Sequence, residues 1–315
     1  MNRRSFLRAA AAGAVAAGGF AWAPARARPD AELERMLASS LCRSPQAGFA
    51  PAAAASAGDA LAFAGTRLFK EGFLDDLARA YTSASGRTAR ILGGGCDDGV
   101  TAVIRGEAHV GGVCCPLPGS PAEGMQALLV GHDLKVVVTH PSQPVGGIAY
   151  RELMAIVTGK INNWKDVGGP SRPMALVVHD HCPNYVEPVR QLLLDNKPRW
   201  SKQALFVKTD QKHLETVARF ESSIGINSWI LAEPMVRAGE LKVLTLDGVA
   251  PTVDAGLAGR YPLMGPMSML FQRWRADIMT PFFEFLYGPE GRRIMARRVV
   301  PAEAPRNGLP GPLRS

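Results

Sequence analysis

The feature that most constrains this chain is the glycine-rich stretch 93–99, which reads Gly-Gly-Gly-Cys-Asp-Asp-Gly. The residues before it, 88–92, predict a strand, and residues 100–104 predict a helix. Such a loop exposes backbone N–H groups at a helix N-terminus, which is a common anion site. The thiol and the two carboxylates of the stretch, however, would repel an anion or bind a cation. The stretch therefore predicts a ligand site and leaves the sign of the ligand's charge open.

Strands and helices alternate along the chain from about residue 59. This alternation predicts the α/β class, with helices on both faces of a sheet. Ligands of open α/β sheets bind beyond the carboxyl ends of the strands, and Cys96, Cys114 and Cys115 follow such ends. Strands are predicted at 61–64, 88–92, 109–113, 133–139 and 176–178, and helices at 68–81, 100–104, 150–158 and 186–194.

Residues 1–27 have the features of a twin-arginine export signal. Arg3 and Arg4 precede an apolar run, 9–22, and residues 25–27 have the small-x-small form of a cleavage site. The apolar run is shorter than the roughly 20 residues that a membrane span needs. The Ala-, Pro- and Ser-rich residues 28–58 predict an N-terminal extension or linker. We therefore expect a periplasmic protein with no membrane span after signal removal.

The charge pattern argues against a nucleic-acid partner. The formal net charge is +8, and the predicted signal alone contains four arginines and no acidic residue. The chain has no run of five or six like charges and no basic stripe with interleaved aromatic residues. A phosphate-backbone partner is therefore not expected.

The cysteines permit two interpretations. The chain contains Cys42, Cys96, Cys114, Cys115 and Cys182. In an oxidising compartment disulfides are the ordinary expectation, and five cysteines leave at least one thiol unpaired or intermolecular. Cys96 would then pair with Cys114 or Cys182, because a bridge between adjacent cysteines is strained. The other interpretation is a set of metal ligands.

Several motifs resemble those of the periplasmic phosphate-binding protein family. The most specific block is 150–170, in which the residues Thr-Gly-Lys-Ile-Asn-Asn-Trp are followed by Gly-Gly-Pro. The resemblance extends from about Asp59 to Pro301. The other matching segments are Ala64-Gly65-Thr66, the glycines of 93–99, residues 106–111 with Pro116-Leu117, 223–227, 259–263 and 288–291.

The resemblance implies a two-lobed type II periplasmic binding protein fold with a ligand cleft between the lobes. Hinge closure of the lobes over the ligand would accompany binding. The crossing strands are expected near 136–140 and 224–229. The expected organisation is lobe 1 at 59–135 and 231–302, lobe 2 at 136–230, and a C-terminal tail at 303–315. The resemblance also implies a monomer that delivers a small ligand to an ABC permease or reports it to a membrane sensor.

The resemblance also implies a ligand site. The family's first-lobe serine falls on Cys96, its aspartate on or beside Cys114 and its second-lobe arginine on His179, while its Ser-Gly-Thr loop falls on 183–185. We interpret Asp97 and Asp98 as helix caps rather than as an acid/base pair. The expected ligand-binding residues are Gly65, Thr66, Gly95, Cys96, Asp97, Asp98, Cys114, His179, Asn184 and Tyr185.

The replaced residues favour a soft ligand over phosphate, because thiolates and imidazole select Zn, Cu and other thiophilic ions. The expected function is binding of such a metal or of another thiophilic ligand. A trivalent thiophile such as arsenite could equally bind the thiols of Cys96, Cys114 and Cys182. The alternatives are a phosphate or oxyanion binder of an ABC transporter and, on the same fold, a thiol-dependent enzyme or redox protein; an enzyme is not the expectation. The expected metal ligands are Cys96, Cys114, Cys115, His179, His181 and Cys182.

Overall fold

The structure is a computed structural model that describes residues 60–115, 117–118, 120–179 and 200–311. The predicted export signal and linker, the predicted helix 186–194 and the end of the predicted tail lie outside the described residues. So do four predicted site residues, His181, Cys182, Asn184 and Tyr185. No helix within the described ranges is long and apolar enough to cross a membrane.

The described chain is an α/β structure built on one curved sheet, and the predicted class is confirmed. Strand order in the sheet is β2-β1-β3-β10-β4-β8-β6-β7, with β11 and β9 also paired to β4 and β5 paired to β9. The strands are β1 Leu61–Gly65, β2 Ala89–Ile91, β3 Val110–Val113, β4 Gln126–Thr139, β5 Gly147–Ile148, β6 Ala175–His179, β7 Leu205–Val207, β8 Ser223–Ser228, β9 Lys242–Leu246, β10 Met264–Phe271 and β11 Val299–Pro301.

Helices cover the sheet and connect its strands. The first helical segment continues through a π-helical stretch, Lys70–Leu74, so the predicted helix 68–81 is present but not uniform in its winding. A short 3₁₀ helix occupies Trp164–Val167. The α-helices are α1 Arg67–Phe69, α2 Asp75–Ser85, α3 Cys96–Ile104, α4 Tyr150–Val157, α5 Asp210–Arg219, α6 Trp229–Arg237, α7 Val253–Leu257, α8 Ala276–Tyr287 and α9 Pro289–Met295.

Strand β4 joins two parts of the sheet. Its first half pairs with β10 and β11, and residues 135–139 pair with β8. The sequence predicted only 133–139 as a strand, because Gly131 and the polar residues after it are typical of a turn. In the structure Gly131 lets β11 approach, since a Cβ there would lie 2.8 Å from Val299 and 3.0 Å from the Val300 carbonyl oxygen.

Two large apolar clusters each include residues of this strand. One surrounds Phe69, Phe73 and Phe283 and includes β1, β10 and α8. The other surrounds Trp164 and includes residues of α4, β6 and β9. The division of the chain into lobes at 135 and 230 remains a prediction.

Candidate functional site

Helix α3 begins at Cys96, four residues earlier than the sequence predicts, so Cys96, Asp97 and Asp98 form its first turn. Strands β1 and β3 are parallel and end at the same edge of the sheet, with Gly65 opposite Gly112. Cys114 follows β3 directly. The first turn of α3 and the ends of both strands therefore meet at one place.

Glycines make this close approach possible. A Cβ on Gly99 would lie 3.0 Å from the Ala64 carbonyl oxygen, and one on Gly111 would lie 2.6 Å from the Gly99 carbonyl oxygen. Gly65 has a φ of +143°, and a Cβ there would lie 2.6 Å from the backbone of Gly112. Larger residues would move α3 away from the strands. Expected ligand residue Gly65 is thus part of the backbone packing beneath the site.

Three sulfur atoms meet at this point. Cys96 Sγ lies 3.7 Å from Cys114 Sγ, and one ligand atom from each of Cys96, Cys114 and Cys115 lies within 4.8 Å of the others. Cys96 and Cys115 are buried, whereas Cys114 is partly exposed. All three are thiols. The structure therefore brings together three of the six expected metal ligands.

Proximity and burial raise the pKa values of Cys96 and Cys115 and favour their protonated forms. The pKa of Cys96 is raised well above its usual value, first by its hydrogen bond with Cys114 and also by burial, which outweigh an opposing contact with Cys115. The pKa of Cys115 is raised by its hydrogen bonds with Cys114 and Cys96 and by burial. A raised pKa is the opposite of what an activated thiol nucleophile needs. The protonated thiols of Cys96 and Cys115 also carry no charge that would repel an anion.

The carboxylate of Asp98 caps the helix. Its Oδ2 accepts a hydrogen bond of 2.7 Å from the backbone N–H of Gly95. The interpretation of Asp98 as a cap therefore agrees with the geometry, and the Gly95 N–H is used within the chain. Asp97 is buried in the same turn. Thr66, also buried, accepts a weak hydrogen bond of 3.4 Å from the N–H of Leu68 at the start of α1.

A buried ion pair that the sequence did not predict lies on β4 and interacts electrostatically with Cys114. Lys135 Nζ is 2.7 Å from Asp133 Oδ2, and Ser228 Oγ donates a 2.7 Å hydrogen bond to Asp133 Oδ1. Burial acts to lower the pKa of Lys135, but the charge of Asp133, followed by Cys114 and more weakly Asp210, raises it well above its usual value. The sequence signal that could have predicted this pair is the presence of two opposite charges, Asp133 and Lys135, at alternate positions of an otherwise apolar strand.

His179 makes its hydrogen bonds at the end of strand β6. It ends strand β6, and its Nδ1 is 3.2 Å from Asp210 Oδ1 while its Nε2 is 3.0 Å from the Lys208 carbonyl oxygen. The metal-type group found among the described residues contains the three cysteines and not this histidine. The expected meeting of His179 with Cys96 and Cys114 across a cleft remains a prediction.

Curated relatives share part of the chain. The phosphate-binding protein PstS of Borreliella burgdorferi is 22% identical over 180 residues, which cover 55% of this chain and 64% of that protein. The phosphate-binding protein PstS of Bacillus subtilis is 25% identical over 204 residues, which cover 62% of this chain and 65% of that protein. The chain thus spans less than two thirds of the length of these relatives.

Solved structures and a family model extend the comparison. A putative phosphate ABC transporter substrate-binding protein from Clostridium perfringens, with bound phosphate, superposes with a TM-score of 0.65 at 18% identity, covering 78% of this chain and 100% of that one. An ABC-type phosphate transport receptor from Vibrio cholerae gives a TM-score of 0.57 at 20% identity, covering 76% and 97%. A family model described as a PBP superfamily domain matches residues 50–290. The chain therefore belongs to the PBP superfamily and has the phosphate-binding-protein-like type II periplasmic fold.

Proposed function

We propose that this protein is the exported substrate-binding component of an ABC transporter. It would bind a small ligand in front of the first turn of α3 and deliver it to a membrane permease. The family membership and the similarity to phosphate-binding proteins of ABC transporters support this assignment. Twin-arginine export and signal cleavage after Ala27 belong to the same proposal, and a membrane sensor remains the alternative partner.

An oxyanion of the phosphate class is the ligand that we propose first. The observation that carries this choice is the meeting of the N-terminus of α3 with the ends of β1 and β3. Backbone N–H groups and the helix dipole favour negative charge at that point. The sequence alone left the sign of the ligand's charge open. An anion is easier to accommodate than the side chains suggested, because the raised pKa values keep Cys96 and Cys115 protonated and the Asp98 carboxylate accepts a hydrogen bond from the Gly95 N–H.

Isothermal titration of the reduced, metal-stripped mature protein with inorganic phosphate tests this proposal. We expect saturable binding of one phosphate. We expect Thr66→Val to weaken it roughly ten- to hundredfold, because a hydrogen bond to a charged group contributes about 1.5–3 kcal/mol.

The matched control is Thr252→Val. Thr252 caps α7 by accepting a hydrogen bond from the N–H of Ala255, much as Thr66 caps α1, so both variants lose an N-cap. We expect phosphate affinity to be unchanged in this control. Absence of any phosphate binding by the wild-type protein, or equal weakening in both variants, would contradict the proposed site.

A further inference from the structure

The three thiols at the start of α3 form a site that phosphate binding does not require. Phosphate needs hydrogen-bond donors and positive charge, and a thiol is only a weak donor. Thiolate sulfur instead selects soft ions such as zinc. A search of the described ranges for three or more His, Cys, Asp or Glu side chains close enough together to bind one ion finds these three cysteines.

The distances suit a single ion. Two sulfurs bound to one zinc ion at about 2.3 Å and at a tetrahedral angle lie about 3.8 Å apart. Cys96 Sγ and Cys114 Sγ are 3.7 Å apart, and the third sulfur lies within 4.8 Å of both. We propose that Cys96, Cys114 and Cys115 bind a thiophilic divalent ion of the zinc class.

The backbone holds the three sulfurs close together before an ion arrives. Cys96 is fixed by the first turn of α3, which packs against β1 and β3 through Gly99 and Gly111. The adjacent pair Cys114 and Cys115 follows the last residue of β3. Binding an ion would therefore cost little rearrangement, which favours affinity.

The partly exposed Cys114 gives an ion a route to the site, and the three sulfurs leave one coordination position of the ion open. Cys96 and Cys115 are 2% and 1% exposed, whereas Cys114 is partly exposed. An ion would enter past Cys114. Three protein ligands leave the fourth position of a tetrahedral zinc ion available for water or another ligand.

A disulfide is the competing use of the same sulfurs. The Cys96 and Cys114 sulfurs are 3.7 Å apart, against about 2.05 Å in a disulfide, so oxidation would need only a modest shift. A disulfide would remove two of the three ligands. A disulfide that persists after reductant treatment would therefore overturn the proposal.

Cadmium titration of the reduced, metal-free mature protein tests the site. Cadmium bound to thiolates gives a charge-transfer absorption in the ultraviolet. We expect this absorption to saturate at one ion per chain and to disappear when zinc is added in excess. Cys96→Ser and Cys115→Ser should each weaken binding at least about a hundredfold, which is the upper end of what a lost outer-shell partner costs a metal site.

Cys42→Ser is the matched control, because Cys42 precedes the family-matched body of the chain; it should bind cadmium like the wild type. Circular dichroism of each variant shows whether it is folded. Absent cadmium absorption, or equal absorption in folded Cys96→Ser and wild-type protein, would overturn the proposal. Loss of cadmium binding in Cys182→Ser but not in Cys115→Ser would also overturn the proposal.

This inference goes beyond the proposed function and fails separately from it. Phosphate binding without cadmium binding would retain the transport proposal and reject the ion site. Cadmium binding without phosphate binding would retain the ion site and reject phosphate as the ligand.

Discussion

Replacing Lys135 by methionine is expected to lower the free energy of unfolding by about 3–5 kcal/mol, because it leaves a carboxylate buried without its cation. The exposed fractions of the Lys135 and Asp133 side chains are 8% and 1%, so water cannot replace the lost partner. The pair lies on β4 where its pairing passes from β10 to β8. The denaturant midpoint of the variant measures the effect.

Two further variants separate the ion pair from general packing. In Lys135→Met/Asp133→Asn the buried charge is gone and Ser228 can still donate to residue 133, so much of the stability should return. Arg172→Met, which breaks an exposed pair with Glu221, should cost about 1 kcal/mol or less. Equal losses in Lys135→Met and Arg172→Met would show that the buried pair has no special role.

The pH dependence of the pair has a definite sign. The pKa of Lys135 is raised in the folded state, so its contribution is complete below the unfolded lysine pKa of about 10.4 and is lost as pH rises toward the folded pKa. Burial also raises the pKa of Asp133, and loss of Lys135 removes the charge that opposes this. We therefore expect the stability difference between wild type and Lys135→Met to hold or grow as pH rises through neutrality and to shrink above about pH 10. A difference that shrinks as pH rises from 6 to 8 would contradict this sign.

Cys96 and Cys115 of the metal-free protein are expected to react with iodoacetamide at least about tenfold more slowly at pH 7 than they do after unfolding, since each unit of raised pKa reduces the thiolate tenfold. Both thiols are buried and both have raised pKa values. Their reaction rates should increase as pH rises. Mass spectrometry of the alkylated peptides measures each cysteine separately.

The guanidinium-unfolded protein is the control, because it contains the same thiols at their ordinary pKa. This experiment also tests the alternative that the protein is a thiol-dependent enzyme. Alkylation of folded Cys96 or Cys115 faster than in the unfolded chain would indicate an activated nucleophile and would contradict the binding-protein account.

The sequence was informative wherever glycine spacing and apolar periodicity agreed. The alternation of strands and helices predicted the α/β class, and the motif at 150–170 carried the resemblance that implied the two-lobed fold. The predicted strand ends placed Cys96, Cys114 and Cys115 near one another. Helix α3 was predicted four residues too short, because an Asp-Asp pair after glycines is also typical of a loop. The close approach of Gly99 and Gly111 depends on tertiary packing that no local pattern contains.

The remainder of the site depends on long-range contacts. Asp133 and Lys135 were counted with an apolar strand, and their pairing with each other and with Ser228 becomes apparent only when β4 and β8 are adjacent. His179 was expected beside Cys96 because aligned family residues meet across a cleft. In the structure its ring contacts Asp210 and the Lys208 backbone, which lie after β7, the neighbour of β6 in the sheet.

Amide hydrogen exchange of the mature protein, with and without saturating phosphate, is the most direct test of where the ligand binds. We predict that phosphate slows exchange in residues 93–99 and 111–115, where the first turn of α3 meets the end of β3. Unchanged exchange there, or protection confined to other parts of the chain, would contradict a ligand site at the start of α3.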